Sequence, residues 1–255
     1  MSERPLQGTV ALVTGASSGI GEATALALAA HGATVAMAAR RQDRLNDVAA
    51  RIEQAGATAL VLEADLTEQA QAERAVERTV SELGRLDILI NNAGVMLLGP
   101  AVEADTSEWS RMIAINVNAL LHCASAALPH LIAAAQDSDR HVADMVNVSS
   151  VAGRTVRAGS GVYNLTKHGV GAFSESLRQE VTERHVRVAL VEPGATATEL
   201  VSHNRPETQR MDQERFADKR KLDAGDIADA ILYVVTRPWH VAVNEVLIRP
   251  TDQAN

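Results

Sequence analysis

The sequence predicts an α/β fold: one doubly wound parallel sheet of about seven strands, with helices on both faces. Three observations carry that expectation. Short β-branched, apolar runs alternate with helical patterns along most of the chain, which is the rhythm of βαβ units. The strands read as continuous apolar runs rather than alternating ones, so both faces of the sheet should be covered. The length, 255 residues with 46% hydrophobic and 22% charged, suits one large domain over residues 1–255 with a sizeable core. No linker-like shift in composition divides it.

The elements follow in order. Val10–Thr14 (VALVT) reads as a buried strand that runs into a glycine-rich turn. Glu22–His31 is an alanine-rich helix, with Gly32 at the usual place for a helix C-terminal glycine. Thr34–Ala39 is the second strand, and Asp43–Gln54 a helix that stops at Gly56. Strand Ala59–Glu63, helix Thr67–Leu83 and strand Ile88–Asn91 repeat the pattern. A long helical stretch covers about Thr106–Ala135, followed by strand Met145–Val148 and helix Tyr163–Arg184. Strand Arg187–Glu192, helix Ala224–Val235 and strand Glu245–Arg249 close the sheet. Aromatic residues make up only 2%, so Ala, Val, Leu and Ile must build the core. Two segments break the rhythm. Gln136–Asp144 (QDSDRHVAD) is polar and expected to be an exposed loop. The polar stretch over about 196–221 is long for a connection, as active-site lids often are; a plain surface excursion is the alternative.

Charge and composition exclude several classes. Lys and Arg number 24 against 32 acids, a formal net charge of -8, whereas a sequence-independent nucleic-acid binder needs a basic face. The single cysteine, Cys123, cannot form an intrachain disulfide and is expected to pack in a helix. No Cys/His group has zinc spacing, so no metal is expected. The N-terminal MSERPLQG lacks the apolar core of a signal peptide, and no run approaches 18 or so uninterrupted apolar residues. The expectation is a cytoplasmic protein without membrane or nucleic-acid partners.

The first strand runs directly into Thr14-Gly15-Ala16-Ser17-Ser18-Gly19-Ile20-Gly21, where a helix begins. Glycines there let the backbone turn sharply and approach a pyrophosphate closely. The helix N-terminus then presents free N–H groups and partial positive charge to the phosphates. The spacing is TGxxxGxG rather than GxGxxG, and the strand–turn–helix context gives it its weight. A Rossmann-type dinucleotide cradle is therefore expected. An acid at the end of the second strand would hydrogen-bond a free ribose 2′-hydroxyl. Here the strand ends Ala38-Ala39-Arg40-Arg41, with no acid before Asp43. Two arginines can make bidentate, charge-assisted contacts to a phosphate, so the expected cofactor is NADP(H). Surface arginines opening a helix are the alternative.

Tyr163 and Lys167 stand four apart and share one helix face. A tyrosine near pKa about 10 is a poor acid–base at neutral pH, and a neighbouring ammonium should lower that value. Thirteen residues upstream of Tyr163, Ser150 follows a strand end, where α/β sites are built. Together these residues resemble the short-chain dehydrogenase/reductase family, in its compact one-domain branch, over essentially the whole chain. The resemblance rests on Gly15, Gly19 and Gly21, on Asp65-Leu66, on Asn91-Asn92-Ala93-Gly94, on Asn116, on Ser150, Tyr163 and Lys167, and on Pro193-Gly194.

The resemblance implies roles. Tyr163 would be general acid in the reversible reduction of an aldehyde or ketone. Ser150 would orient the carbonyl oxygen, and Lys167 would hold the nicotinamide ribose and depress the tyrosine pKa. Asn116 would anchor a water linking Lys167 to solvent. The cofactor would lie against Gly15, Ser17, Ser18, Gly19, Ile20, Gly21, Arg40, Arg41, Asp65, Leu66, Asn92, Ala93, Gly94, Pro193, Gly194, Thr196 and Thr198, with Tyr163 and Lys167. Homotetramers, or dimers, would form through the long helices and the last strand. The C-terminal NEVLIRPTDQ replaces the TG…DGG ending of 3-oxoacyl reductases and is similar to NADP-dependent hydroxy-acid and carbonyl reductases. A 3-oxoacyl or hydroxy-acid dehydrogenase is the alternative, and a catalytically silent NADP-binding regulator a remote one. The substrate pocket is expected from Val95, Met96, Val151, Ala152, Arg154 and Gly194, with Arg154 either meeting a substrate carboxylate or solvated. His203 and His185 are expected on the surface.

Overall fold

The computed structural model describes residues 4–102 and 104–254. Seven strands form one sheet: β1 (Val10–Thr14), β2 (Thr34–Ala39), β3 (Ala59–Glu63), β4 (Ile88–Asn91), β5 (Ala143–Val148), β6 (Val186–Pro193) and β7 (Glu245–Ile248). Their order is β3-β2-β1-β4-β5-β6-β7, and every neighbouring pair is parallel. The chain winds outward from β1 to β3, then returns to place β4 on the other side of β1. Such a reversal opens a crevice beyond the strand C-termini, here between Thr14 and Asn91.

Alternate residues of each strand feed the two faces. Ala11 and Val13 of β1 pack with α1 (Gly19–Ala30), α2 (Gln42–Gln54) and α8 (Ala224–Val235) through Leu28, Leu45, Val48, Ile227 and Ile231. Leu12 faces the opposite layer, where Val76 of α3 (Gln69–Leu83), Cys123 and Leu131 of α5 (Ala119–Asp137) and Leu177 of α6 (Gly161–Val181) are buried. Helices on both faces explain why the strands carry no polar alternation.

The long central helix is not uniform. α4 (Thr106–Ile113) passes through one π turn, Ala114–Asn118, into α5. Over Thr106–Asp137 this run is long and apolar enough to cross a membrane, with a mean hydropathy of 1.4 in its most apolar part. The run is still interrupted by polar residues such as Asn116, Asn118, His122 and His130, as expected. Its apolarity serves the sheet, because Ala119, Cys123, Ala124, Ala127 and Leu131 lie buried along one side.

Gln136–Asp144 departs from its expectation as an exposed loop. Val142, Ala143 and Asp144 are buried, and β5 begins at Ala143. Asp144 stands in register with Arg187 on β6. Its carboxylate accepts from Arg187 Nε at 2.7 Å and from Arg140 Nη2 at 2.7 Å. Arg187 also donates to the carbonyls of Arg237, Pro238 and Val241. An ion pair satisfied on all sides can sit inside a sheet, and polar composition conceals it.

The stretch 196–221 holds a short 3₁₀ turn, Glu199–His203, and α7 (Pro206–Arg215) with proline in its first turn. It ends where Leu222 returns to Ala195 and Ala197 through backbone hydrogen bonds of 2.9 and 2.8 Å.

Candidate active site

The crevice begins at the end of β1. Gly15 adopts φ +65°, and a Cβ there would stand 2.8 Å from Ala93 Cα. A Cβ on Gly21 would stand 2.4 Å from the Gly15 carbonyl oxygen and 2.5 Å from Asn92 Nδ2. Thr14 locks the β1 and β4 ends together: its Oγ1 accepts from the Asn92 and Ala93 amides at 2.9 and 3.1 Å. Asn92 Nδ2 donates back to the carbonyls of Thr14 and Gly15. The sequence reading did not single out Thr14, and only its place before the glycines pointed to it.

α1 starts at Gly19, three residues earlier than expected, because the glycine loop itself forms its first turn. Ser18 at its N-cap gives no side-chain hydrogen bond to that turn, so the first N–H groups keep their capacity for an anion. Thr198 closes over this end, with its Cγ2 3.1 Å from where a Gly19 Cβ would be. Arg41 donates from Nε and Nη2 to Ser17 Oγ at 3.2 and 3.1 Å, and from Nη2 to Ser18 Oγ at 2.7 Å. Its Nη1 donates to Glu199 Oε2 at 2.8 Å, and this pairing holds the Glu199 carboxyl below its ordinary range. Arg40 lines the same wall, as do Asp65 and Leu66. The Asp65 carboxylate accepts from Thr67 N and Oγ1, which shapes the turn after β3. These features fit a dinucleotide carrying an extra phosphate.

The reacting end lies beyond β5. Ser150 follows the strand and caps the 3₁₀ turn Val151–Gly153, its Oγ accepting from Ala152 N at 3.1 Å. The Ser150 hydroxyl donates to the Pro193 carbonyl at 3.4 Å and lies close enough to Tyr163 to favour its ionised form. Lys167, one turn further along α6, donates from Nζ to the Val148 carbonyl at 3.0 Å and lies 5.8 Å from the Tyr163 ring centre. Burial pushes the Tyr163 hydroxyl up to about 12, with Ser150 pulling the other way, and burial pushes Lys167 down to about 8. Burial, rather than Lys167, is the leading influence on the tyrosine here. Desolvation outweighs any pull from an ammonium committed to a carbonyl, and Tyr163 stays a proton-bearing phenol at neutral pH.

Asn116 sits in the π turn. Its amide accepts from Val95 N at 2.7 Å and donates to Val95 O at 2.9 Å and Thr166 Oγ1 at 3.2 Å. The side chain thereby ties β4's exit to the tyrosine-bearing helix. Its oxygen lies 3.3 Å from where a Gly94 Cβ would stand.

At the end of β6, Pro193 and Gly194 pass beneath the C-terminal segment. A Cβ on Gly194 would lie 2.5 Å from Gln253 Oε1, which accepts from Ala195 N at 2.8 Å. Gln253 is a residue that sequence reasoning missed, since nothing local marks a C-terminal glutamine as a contact of β6. Thr196 donates to the Gly194 carbonyl.

These parts surround one cleft of about 440 Å³. It brings together Gly15, Ser17, Ser18, Gly19, Ile20, Arg40, Arg41, Asp65, Leu66, Asn92, Ala93, Gly94, Ser150, Tyr163, Lys167, Pro193, Gly194, Thr196 and Thr198. Gly21 and Asn116 stand one layer behind, against Gly15 and Gly94. Val95, Met96, Val151 and Ala152 line it as expected. Arg154 does not. Its Nε donates to both Glu192 oxygens at 2.8 Å and its Nη2 to Glu245, because Glu192 is buried and needs a counter-charge. Arg157 lines the cleft in its place. His203, exposed as expected, reaches the rim of the cleft, whereas His185 stacks on Trp239 elsewhere.

Comparison with known proteins agrees with this geometry. Residues 9–209 match the model of a family described as short chain dehydrogenase. The chain is 38% identical over 249 residues to a glycine betaine reductase of Emericella nidulans, covering 98% of this chain but only 19% of that protein. It is 36% identical over 241 residues to an uncharacterized oxidoreductase of Staphylococcus epidermidis, covering 94% of this chain and 96% of the relative. Among solved structures, a closed serine dehydrogenase complexed with NADP+ superposes with a TM-score of 0.87 at 30% identity, covering 97% of each chain. An alcohol dehydrogenase from the archaeon Thermococcus sibiricus, complexed with 5-hydroxy-NADP, gives 0.85 at 25% identity over 97% of this chain and 98% of that one.

Proposed function

The chain belongs to the short-chain dehydrogenase family, and on that premise we propose that it reduces an aldehyde or ketone to an alcohol with NADPH, reversibly, using Tyr163 as the proton donor. The observation that carries the reading is the convergence of the buried Ser150, Tyr163 and Lys167 in the same cleft as the glycine cradle. The arginines at the end of β2 and the NADP ligands named for related structures support the choice of cofactor.

NADPH, when bound, supplies the hydride that reaches the carbonyl carbon. Ser150 and Tyr163 hold the carbonyl oxygen between their hydroxyls and fix its approach. Tyr163 gives its proton to that oxygen as negative charge grows there, and in the reverse direction takes it back. Lys167, 5.8 Å from the tyrosine ring centre, would lend positive charge to the phenolate left behind. The Asn116 amide is already committed to Val95 and Thr166, so any water of a relay would rest on its main chain. The 196–221 segment acts as a lid, with Thr198 and Glu199 lying on the cradle. Exposed Ile113 on α4 and Leu165 on α6 support assembly into a tetramer or dimer, which light scattering would reject by finding a monomer.

The test is loss of nicotinamide absorbance with NADPH over a panel of aldehydes and ketones. Tyr163→Phe should lower turnover by about 100- to 10,000-fold, the usual worth of a general acid, with NADPH affinity nearly kept. Substantial residual turnover would reject Tyr163 as the donor. Tight NADPH binding without turnover of any carbonyl would favour a silent binder instead.

A further inference from the structure

The charges of the cleft wall run against those of the molecule. The chain carries a net charge of -8, yet three arginines that line the cleft have no carboxylate partner among the described residues: Arg40, Arg157 and Arg215. The other cations there are committed. Arg41 pairs with Glu199 and Lys221 with Asp212, and Lys167 donates to Val148; Arg40, unpaired, stands where β2 ends, on the cradle side, away from the reacting end. Arg215 stacks on Phe216 within the lid, 5.1 Å from the ring centre. Arg157 alone belongs to the fixed wall beside Tyr163.

Its placement is built. Asn164, the residue after Tyr163, donates from Nδ2 to the carbonyls of Ala152 and Thr155 at 2.7 and 2.8 Å. Its Oδ1 accepts from Arg157 N at 3.4 Å, and Ser160 N donates to Arg157 O at 3.2 Å. The Arg157 backbone is thus fixed to the same helical turn that carries the tyrosine, and Thr155, Arg157, Ser160 and Tyr163 line one wall. Elsewhere on the cleft, burial and then Arg111, Arg41 and Arg40 hold the His203 imidazole below its ordinary value, against an opposing pull from Glu199.

We propose that Arg157 receives a carboxylate of the substrate, so that the carbonyl compounds this enzyme takes are oxo acids rather than neutral aldehydes or ketones. The inference rests on the reductase reading and narrows it to one substrate class. A guanidinium fork matches a carboxylate in two parallel hydrogen bonds. With the acid end held there, the oxo carbon is presented to Ser150 and Tyr163. Reduction then proceeds as above: hydride from NADPH to carbon, the Tyr163 proton to oxygen, giving NADP+ and a hydroxy acid.

The test compares pyruvate, acetoacetate and levulinate with their methyl esters, using NADPH and either wild type or Arg157→Gln. At least one acid should exceed its ester tenfold or more in kcat/KM, and that ratio should fall toward one in Arg157→Gln. Arg157→Glu should invert it, with circular dichroism and NADPH binding confirming that both variants fold. Ratios near one for all three wild-type pairs, or a ratio that survives Arg157→Gln, would overturn the proposal while leaving the reductase reading intact. If no carbonyl compound is reduced, the reductase reading fails separately. Calorimetric titration of the NADP+-loaded protein with lactate, 3-hydroxybutyrate and 4-hydroxybutyrate and their esters then decides. Acid-selective binding lost in Arg157→Gln supports the anchor, and equal or absent binding rejects it.

Discussion

Gly21→Ala tests the cradle more directly than any change of charge. The added methyl would stand 2.4 Å from the Gly15 carbonyl oxygen and 2.5 Å from Asn92 Nδ2, well inside normal contact. Neither neighbour can step aside. Gly15 is held in a left-handed turn against Ala93, and Asn92 is fixed by its bonds to Thr14 and Gly15. The start of α1 must therefore move by roughly 1 Å, an overpacking cost of about 1–3 kcal/mol. That should lower the melting temperature by several degrees for a chain of this size. The same displacement swings the first-turn N–H groups away from the phosphates, and NADPH affinity should fall by about 10- to 100-fold. Gly225→Ala is the control, since nothing lies within 4 Å of that methyl and helix propensity favours it by up to about 1 kcal/mol. Thermal melts with and without NADPH, together with fluorescence titration of NADPH, read both effects. Wild-type melting and affinity in Gly21→Ala would refute the geometry of the cradle.

Three further changes probe separate parts. Arg40→Asp should weaken NADPH binding more than NADH binding, and equal losses in paired titrations would remove Arg40 from the phosphate site. Lys167 is held at about 8 against an ordinary 10.5, so between those values the unfolded chain binds more protons than the folded one. Stability relative to Lys167→Met should then rise with pH from about 8 to 10.5, by up to about 3 kcal/mol, and be lost again as pH falls through 8. Urea unfolding at the two ends of that window measures it, and a constant difference would contradict the buried ammonium. Arg154→Ala strands the buried Glu192; because the arginine is itself 40% exposed, the cost is discounted to about 2 kcal/mol. It should leave the acid-to-ester ratio untouched, and a collapse of that ratio would mean that Arg154, not Arg157, meets the substrate.

The fold was legible because burial on both faces writes itself into the strands. VALVT, TVAMAA and ALVLE stand at the positions of β1, β2 and β3. What escaped were places where charge is paired inside the sheet. Asp144 reads as the end of a polar loop because its partner Arg187 is forty-three residues away and becomes its neighbour only through strand register. The π turn Ala114–Asn118 left no periodic signal either. One residue inserted in a helix shifts the apolar stripe too little to see, although it turns Asn116 toward Val95.

The site shows the same division between what a motif carries and what a turn decides. Glycine spacing and the Tyr163–Lys167 interval are local, so the chain itself places them, and the structure gathers them into one cleft. The choice between Arg154 and Arg157 is not local. Both lie in the seven-residue stretch between the Val151–Gly153 turn and Gly161, and composition treats them alike. Two remote events separate them. Glu192, buried at the end of β6, claims Arg154 for the sheet edge together with Glu245. Asn164 then folds the rest of the loop back on α6 and leaves Arg157 on the cleft side. On the oxo-acid proposal, a carboxylate thirty-eight residues downstream would therefore decide which of these two arginines meets the substrate. If so, specificity would depend on the tertiary pairing of the neighbouring residues as much as on those that reach the cleft.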